Sequence, residues 1–163
     1  MASSYAQAVR NGTMAASRLH LQLGDQTVVR ERGSNIDVFA AIVSFDVPLI
    51  FKPLAGLLGA YLPQPIPGVL VTTERSLNIQ RFTAAHELGH FYLRHSPSLD
   101  DESILRRMTT QSFGDDFQEV EADAFAVGFM LPRWLIASHC ARQGWRSDEM
   151  SDAQCIYQLS LRL

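Results

Sequence analysis

The sequence predicts an α+β fold in which a small, mostly antiparallel sheet packs on one central helix and several further helices surround it. Helical patterns occupy the beginning and the second half of the chain, whereas short apolar segments bounded by proline and glycine lie between residues 47 and 73. Strands that follow one another so closely, without helices between them, are typical of a small antiparallel sheet. We predict a single domain over residues 1–163, in which residues 1–34 form a helix and a linker ahead of the core at residues 35–163.

The first predicted helix covers residues 3–23. Ser3 or Ser4 can cap its start, apolar residues recur along it at helical spacing, and Gly24 ends it. His20 is the only histidine on this helix, and we interpret it as a surface or packing residue rather than a metal ligand.

The second predicted helix covers residues 36–45. Ser34 or Asn35 can cap its start. Helical spacing predicts that one apolar stripe of this helix faces the core. The residues of that stripe are Ile36, Phe39, Ala40 and Val43.

The middle of the chain predicts the sheet. Residues 47–51 are apolar and contain a proline, which indicates an edge strand. Residues 56–61 form either a strand or a turn, and residues 63–68 form a proline-rich loop. Residues 68–73 are apolar and β-branched and predict a further strand, whose edge is a candidate site for pairing with an extended substrate segment.

The central helix begins after Ser76, its predicted cap, and runs to Arg94, ahead of the break at Pro97. Within it, Gly89 permits the close approach of another backbone. Residues 100–116 are polar and predict a loop, which can contain a short helix over residues 103–108. Disorder is the favoured interpretation of this loop, and a lid over the site is the alternative. Three further helices follow, over residues 117–130, 133–142 and 147–163. The last of them has no cap at its C-terminal end, which leaves open whether the natural chain continues.

Composition favours a soluble protein of the cytoplasm. Hydrophobic residues make up 47% of the chain, and the net charge of −3 provides no general basic field for nucleic acid or an anionic membrane. Cys140 and Cys155 form no Cys-x-x-Cys pair, which fits a reducing compartment. No run approaches the about 18 apolar residues that span a bilayer, and no signal peptide is visible. We expect no direct contact with nucleic acid or membrane.

The central helix carries an H-E-x-x-H motif, His86-Glu87-Leu88-Gly89-His90. Residues four apart lie one above the other on a helix, so the two imidazoles can hold one zinc ion. Glu87 then lies beside them as a general base that takes a proton from water. The motif alone is also compatible with a surface helix that carries two solvated histidines. The choice between this interpretation and a metal site depends on whether the chain supplies a third ligand.

A catalytic zinc site needs a third protein ligand and an open position for water. Glu119, on the next long helix, is the best candidate, and Asp123 shares its helix face. Asp123 can then accept a hydrogen bond from the outer N–H of a ligand histidine and fix its tautomer. Glu121 is the alternative ligand, but helical geometry turns it about 200° away from Glu119. Acidic residues at a helix start can also simply favour the helix dipole.

Two stretches resemble the ImmA/IrrE-type metallopeptidases. The segment Arg81-Phe-Thr-Ala-Ala-His-Glu-Leu-Gly-His90 is similar to the signature helix of that family. The segment Glu119-Val-Glu-Ala-Asp-Ala-Phe-Ala126, followed by Phe129-Met-Leu-Pro132, is similar to its second helix. The resemblance covers roughly residues 35–160. Two departures stand out: Asp123 replaces a frequent asparagine, and Arg94-His95 replaces a frequent histidine four residues after the motif.

The resemblance, together with the Glu-x-x-x-Asp spacing of gluzincins, implies a zincin-like metallopeptidase domain. The implied metal ligands are His86, His90 and Glu119, with Glu87 as the base and zinc, or another divalent metal in the cell, as the cofactor. The implied activity is that of a cytoplasmic zinc endopeptidase that cleaves and inactivates a helix-turn-helix transcriptional repressor encoded nearby, for instance in stress responses. The alternative is a partner protein that keeps the fold and binds the repressor without cutting it.

Three residues are candidates for a further donor to the oxyanion of the reaction, and none of them is favoured. Tyr92 lies two residues from His90 and is better interpreted as a packing aromatic. His95 lies outside the predicted metal set, and the sequence leaves open whether it is exposed to solvent. The third candidate is Tyr61.

Overall fold

Six helices and two sheets form the described part of the computed structural model, which comprises residues 4–24, 28–29, 35–63, 65–96, 98–101, 117–146 and 153–160. The helices are α1 (Tyr5–Leu23), α2 (Val38–Val43), α3 (Leu77–Leu93), α4 (Phe117–Met130), α5 (Arg133–Gln143) and α6 (Ala153–Ser160). The strands are β1 (Val28–Val29), β2 (Asn35–Ile36), β3 (Leu49–Lys52), β4 (Leu57–Leu62), β5 (Gly68–Thr72) and β6 (Ser98–Asp101). The predicted α+β fold class is confirmed.

Helix α1 begins and ends where the sequence predicts. Ser4 is the cap, because its Oγ accepts a hydrogen bond from the backbone N–H of Gln7 at 3.2 Å. Gly24 ends the helix with φ 55°, a backbone conformation that glycine adopts without strain. His20 is a packing residue, as predicted: its ring stacks on Phe129 and its Nε2–H donates to the Phe129 carbonyl oxygen at 2.9 Å.

Helix α1 lies directly on α4 through small residues. A Cβ at Gly12 would overlap the carbonyl oxygen of Glu121 and come within 2.9 Å of the backbone nitrogen of Phe125. The two helix backbones are therefore in contact at this point. The buried residues of α1 are Ala8, Gly12, Ala15, Ala16, Leu19 and Leu23.

The start and the buried face of α2 differ from the prediction. Asn35 and Ile36 pair with β1 instead of starting a helix, and Asp37 is the cap, with its Oδ1 accepting from the Ala40 N–H at 3.0 Å. Ala40 and Val43, expected in the core, face solvent. The buried residues of α2 are Val38, Ala41 and Ile42. Every residue of α2 is apolar, so periodicity could not choose the face, which only packing against the rest of the protein decides.

A four-stranded sheet with the order β3-β5-β4-β6 packs against α3. Strand β4 is antiparallel to both β5 and β6, whereas β3 runs parallel to β5. The sheet is thus mostly antiparallel, as predicted, and β3 is an edge strand. Residues 57–62 form a strand rather than a turn.

Two predictions about this sheet are wrong. Strand β5 lies between β3 and β4, so both of its edges are occupied and it cannot bind a peptide by edge pairing. Residues 98–101 form β6, although the predicted loop begins at residue 100. The sequence Ser-Leu-Asp-Asp carries no strand signal, and its pairing with β4 makes it a strand.

Helix α3 lies between the sheet and α4, which is why residues 83–90 are all buried. Gly89 makes the predicted close contact: a Cβ there would lie 3.2 Å from Ala122 Cα and 3.1 Å from Phe125 Cδ1. The helix ends at Leu93, because Arg94 adopts the left-handed conformation with φ 59°. The predicted break at Pro97 lies outside the described residues.

The C-terminal helices follow the prediction within the described residues. Helix α4 ends at Met130, Pro132 precedes α5, and Gly144 ends α5 with φ 70°. Helix α6 covers part of the last predicted helix. The predicted start of that helix at residue 147 and most of the predicted loop, residues 102–116, lie outside the described residues.

Among the residues that the structure describes, one helical stretch, Phe117–Gln143, is long and apolar enough to cross a membrane by length and composition. The expectation that no segment of this kind exists is therefore not confirmed. Its first half is helix α4, which packs against both α1 and α3, and its continuity is interrupted at Leu131 and Pro132. The face that α4 buries against α1 and α3 accounts for part of this composition, and one such helix is weak evidence for a membrane span.

The contact between α1 and α4 is tested by Gly12→Ala. We expect the free energy of unfolding to fall by about 1–3 kcal/mol, as in other overpacked cores, although alanine is the better helix former by about 1 kcal/mol. Urea denaturation measures the difference. Gly128→Ala is the matched control, because a Cβ there makes one tight contact, with Ala16 Cβ at 3.3 Å, which a shift of a few tenths of an ångström relieves, and the nearest backbone atom is Thr13 Cα at 3.6 Å. Unchanged stability in Gly12→Ala would contradict the backbone contact.

Candidate metal centre

Helix α3 places His86 and His90 one turn apart in the interior of the protein. Both side chains are 0% exposed. Their Nε2 atoms are 2.9 Å apart, so the two rings converge on one point. The alternative of a surface helix with solvated histidines is therefore wrong, because the sheet covers one side of α3 and α4 covers the other.

Glu119 on helix α4 reaches the same point. Its Oε2 lies 3.3 Å from His86 Nε2, and its Oε1 lies 3.4 Å from His90 Nε2. One ligand atom from each of the three residues lies within 4.8 Å of the others, and all three residues are buried. The structure thus brings together the three residues that the sequence singles out as ligands, and the group could hold a metal ion.

The partner of His86 on its outer side is Asp123, as the sequence predicts. Asp123 Oδ1 lies 2.9 Å from His86 Nδ1. A carboxylate only accepts hydrogen bonds, so Nδ1 of His86 carries the proton and Nε2 keeps its lone pair for a metal. The donor set, two imidazole nitrogens and one carboxylate, fits zinc and related divalent metals.

The partner of His90 on its outer side is His95, which the sequence interpretation did not identify. Nδ1 of His95 lies 2.9 Å from Nδ1 of His90, and Nε2 of His95 lies 3.0 Å from Glu121 Oε2. His95 is half-buried rather than solvent-exposed, because the left-handed Arg94 turns the chain back towards α4. No local sequence signal predicts that conformation at an arginine.

Glu121, the alternative ligand, lies outside the group of His86, His90 and Glu119. Its carboxylate instead contacts His95 and accepts a hydrogen bond from Asn11 Nδ2 at 2.7 Å. Burial lowers the pKa of His95, and the Glu121 carboxylate opposes that shift. The predicted turn of about 200° between Glu119 and Glu121 accounts for their different partners.

Glu87 is completely buried and lies next to strand β4. A Cβ at Gly59 would lie 2.8 Å from Glu87 Oε1 and 2.5 Å from Thr83 Cγ2, so only glycine leaves room for this carboxylate. The role of Glu87 as the general base stays a prediction.

Of the three candidate donors to an oxyanion, two are packing residues and the third contacts a ligand histidine. Tyr92 packs against the rings of Phe45 and Phe125. Tyr61 is buried on β4 with its ring against Phe91, and burial raises its pKa. His95 contacts the outer nitrogen of His90. None of these contacts places a donor at an oxyanion.

A buried group of two histidines and one glutamate, on two helices that pack beside a small sheet, defines the class of metal-dependent peptidases of the zincin type. The family model of the IrrE N-terminal-like domain, a peptidase family, matches residues 44–153. This match covers more than half of the chain, so the protein belongs to that peptidase family and the predicted ImmA/IrrE resemblance is confirmed. A search among curated proteins finds no match. Helix α1 lies outside the matched residues.

Metal analysis of two variants distinguishes the roles of Glu119 and Glu121. We expect Glu119→Ala to lose bound zinc, because a ligand is removed, whereas Glu121→Ala keeps one equivalent, because Glu121 reaches the site only through His95. Each purified variant is loaded, dialysed and assayed for zinc. Retention in Glu119→Ala together with loss in Glu121→Ala would reassign the third ligand.

The position of Glu87 is tested by Gly59→Ala. The added methyl group would lie within 2.9 Å of Thr83 Cγ2, Glu87 Oε1 and the carbonyl oxygen of Leu70. Because the Glu87 carboxylate is among the groups that must shift, we expect peptide hydrolysis to fall about tenfold to hundredfold while bound zinc is retained. Gly68→Ala on β5 is the matched control, because the nearest atom to a Cβ there is 3.8 Å away. Equal activities of the two variants would show that Gly59 does not constrain Glu87.

Proposed function

We propose that this protein is a zinc-dependent endopeptidase that cleaves and inactivates a helix-turn-helix transcriptional repressor. The observation that carries the proposal is the convergence of His86, His90 and Glu119 on one buried point. Membership of the IrrE N-terminal-like peptidase family supports hydrolysis of peptide bonds. The repressor as substrate is supported by the ImmA/IrrE resemblance of the two ligand-bearing helices.

Zinc is the metal that this donor set suits best. Two imidazoles and one carboxylate are the ligand set of many catalytic zinc sites, which keep a fourth position open. A purely structural zinc site usually has four protein ligands, and the group in the described residues has three. Another divalent metal can serve in the cell, because the metal that occupies a site depends on metal availability as well as on ligand type and geometry.

The side chains have distinct roles in the proposed reaction. When bound, zinc would supply Lewis acidity that acidifies water and polarises the scissile carbonyl. His86 and His90 present their Nε2 lone pairs, and Asp123 keeps the His86 ring oriented through Nδ1. Glu87 accepts the proton of the attacking water and returns it to the leaving amine.

An extended substrate segment can pair with a free sheet edge. Strand β5 is internal, so the candidate edges of the four-stranded sheet, as far as the structure describes it, are β3 and β6. Strand β6 is the better candidate, because it pairs with β4, whose Gly59 lies against Glu87. Main-chain hydrogen bonds along such an edge would hold the substrate extended.

The protein is further proposed to act in the cytoplasm on a protein partner, without contacting nucleic acid or membrane directly. Its net charge of −3 gives no general attraction to phosphate backbones or anionic lipids. The two cysteines lack the pattern of a disulfide-rich secreted domain. The low charge and the cysteine usage support this location.

The alternative function is that of a partner which retains the fold and sequesters the repressor without cutting it. The buried Glu87 favours the enzyme. A carboxylate at 0% exposure is costly to keep in an interior, and a binding protein has no use for a general base there.

The proposal is tested with the purified protein, zinc and the helix-turn-helix repressor encoded by a neighbouring gene. We expect cleavage of the repressor by the wild type and no detectable cleavage by Glu87→Gln, which keeps the side-chain volume but removes the base. Mass spectrometry of the fragments measures cleavage, and metal analysis verifies that Glu87→Gln retains zinc. Repressor that forms a complex yet stays intact would support sequestration. Equal cleavage by Glu87→Gln would overturn the mechanism.

A further inference from the structure

His90 is held on its outer side by hydrogen bonds that lead back to helix α1. From the ligand outwards, His95 contacts Nδ1 of His90, Glu121 contacts Nε2 of His95, and Asn11 donates to Glu121. The three distances are 2.9, 3.0 and 2.7 Å. We refer to Asn11, Glu121 and His95 together as the outer chain.

The carboxylate of Glu121 sets the direction of each hydrogen bond. A carboxylate only accepts, so Nε2 of His95 must carry the proton that points at Glu121 Oε2. Nδ1 of a neutral imidazole protonated at Nε2 is an acceptor, so the bond between the two rings is donated by Nδ1–H of His90. Nε2 of His90 is then left with a lone pair on the side of Glu119.

The amide of Asn11 is also oriented by its neighbours. Its Oδ1 accepts from Gln7 Nε2 at 2.8 Å, which turns Nδ2 towards Glu121. Gln7 is oriented in turn, because its Oε1 accepts from Arg10 at 2.9 Å. The Glu121 carboxylate therefore accepts a hydrogen bond on both sides, from Asn11 Nδ2 and from His95 Nε2.

Two backbone features bring the outer chain together. Gly12, adjacent to Asn11, lets α1 touch the carbonyl oxygen of Glu121, so the Asn11 side chain is within reach of the same residue. Arg94 in the left-handed conformation ends α3 and folds His95 back beside His90. Both features are independent of the side-chain hydrogen bonds themselves.

We infer that the outer chain is a positioning element that holds His90 in the tautomer whose Nε2 faces the metal. The inference rests on the proposed metal site and deepens it. Asn11 lies outside the residues matched by the family model, so helix α1 would take part in a centre whose ligands all lie within the matched segment. His86, by contrast, is held directly by a carboxylate.

Zinc affinity of the full chain tests the inference. Removing the outer partner of a ligand histidine typically weakens metal binding by about 10–100-fold. We expect about a tenfold loss for His95→Phe, which keeps the ring but not the acceptor, a smaller loss for Glu121→Gln, and the smallest for Asn11→Ala. His95→Asn can place an amide oxygen near Nδ1 of His90 and is expected to restore most of the affinity. Competition with a chelating dye measures each dissociation constant.

The tautomer of the His90 ring is a second measurement, which would not change if the outer chain only stabilised the fold. Long-range ¹H–¹⁵N spectra of the ring are expected to show His90 protonated at Nδ1 in the wild type, and a mixture of tautomers in His95→Phe. Ser17→Ala is the matched control on α1, because Ser17 is exposed and its hydroxyl donates to the Thr13 carbonyl oxygen of its own helix. It should leave affinity and tautomer unchanged.

The outcomes separate this inference from the proposed function. A wild-type protein that binds no zinc would overturn the metal site and the inference with it. A wild type that binds zinc, with affinity and tautomer unchanged in His95→Phe, would overturn the inference alone. Equal losses in His95→Phe and His95→Asn would also overturn it, because the acceptor would then be irrelevant.

Discussion

The contact between helices α3 and α4 at Gly89 is the constraint on which the candidate metal centre depends. At this residue the two helices approach until a methyl group would meet both the Cα of Ala122 and the ring of Phe125. Glu119 lies one turn before Ala122, so this distance between the helices determines how far its carboxylate reaches towards the histidines. The apolar packing at Gly89 thus sets the separation of 3.3–3.4 Å between the Glu119 carboxylate and the two imidazoles.

The same arrangement recurs one layer further out, between α4 and α1. Gly12 lets α1 lie on the backbone of α4, as Gly89 does for α3. Glu119, one turn before the Ala122 that Gly89 contacts, reaches across in the first case, and Asn11, next to Gly12, reaches across in the second. Each close approach of backbones therefore allows a polar contact beside it. Glycine costs about 1 kcal/mol in a helix relative to alanine. At these two positions the cost is offset by contacts that a larger residue would exclude.

Burial of the ionisable groups of the candidate metal centre is unfavourable for the stability of the fold. His86, Glu87 and His90 are 0% exposed and Glu119 is 7% exposed, and a buried charge costs several kcal/mol unless it is paired. The outer contacts to Asp123 and to His95 supply part of that pairing. Such a concentration of ionisable groups is better explained by chemistry than by stability, since apolar residues of similar volume would fill the same space at lower cost.

The sequence by itself determined the elements whose signals are local. Local signals located α1, α3 and α4, although only the cap of α1 makes its predicted kind of hydrogen bond, since Ser76 precedes α3 without a side-chain cap bond. A spacing of four residues put each pair of functional side chains on one helix face. Only the tertiary structure decided which face of the apolar helix α2 is buried, that β5 is internal, that Ser-Leu-Asp-Asp is a strand, and that His95 belongs to the centre. Each of these features depends on a segment distant along the chain, or on a left-handed residue that no local preference predicts. They are therefore fixed only when the helices and strands pack together.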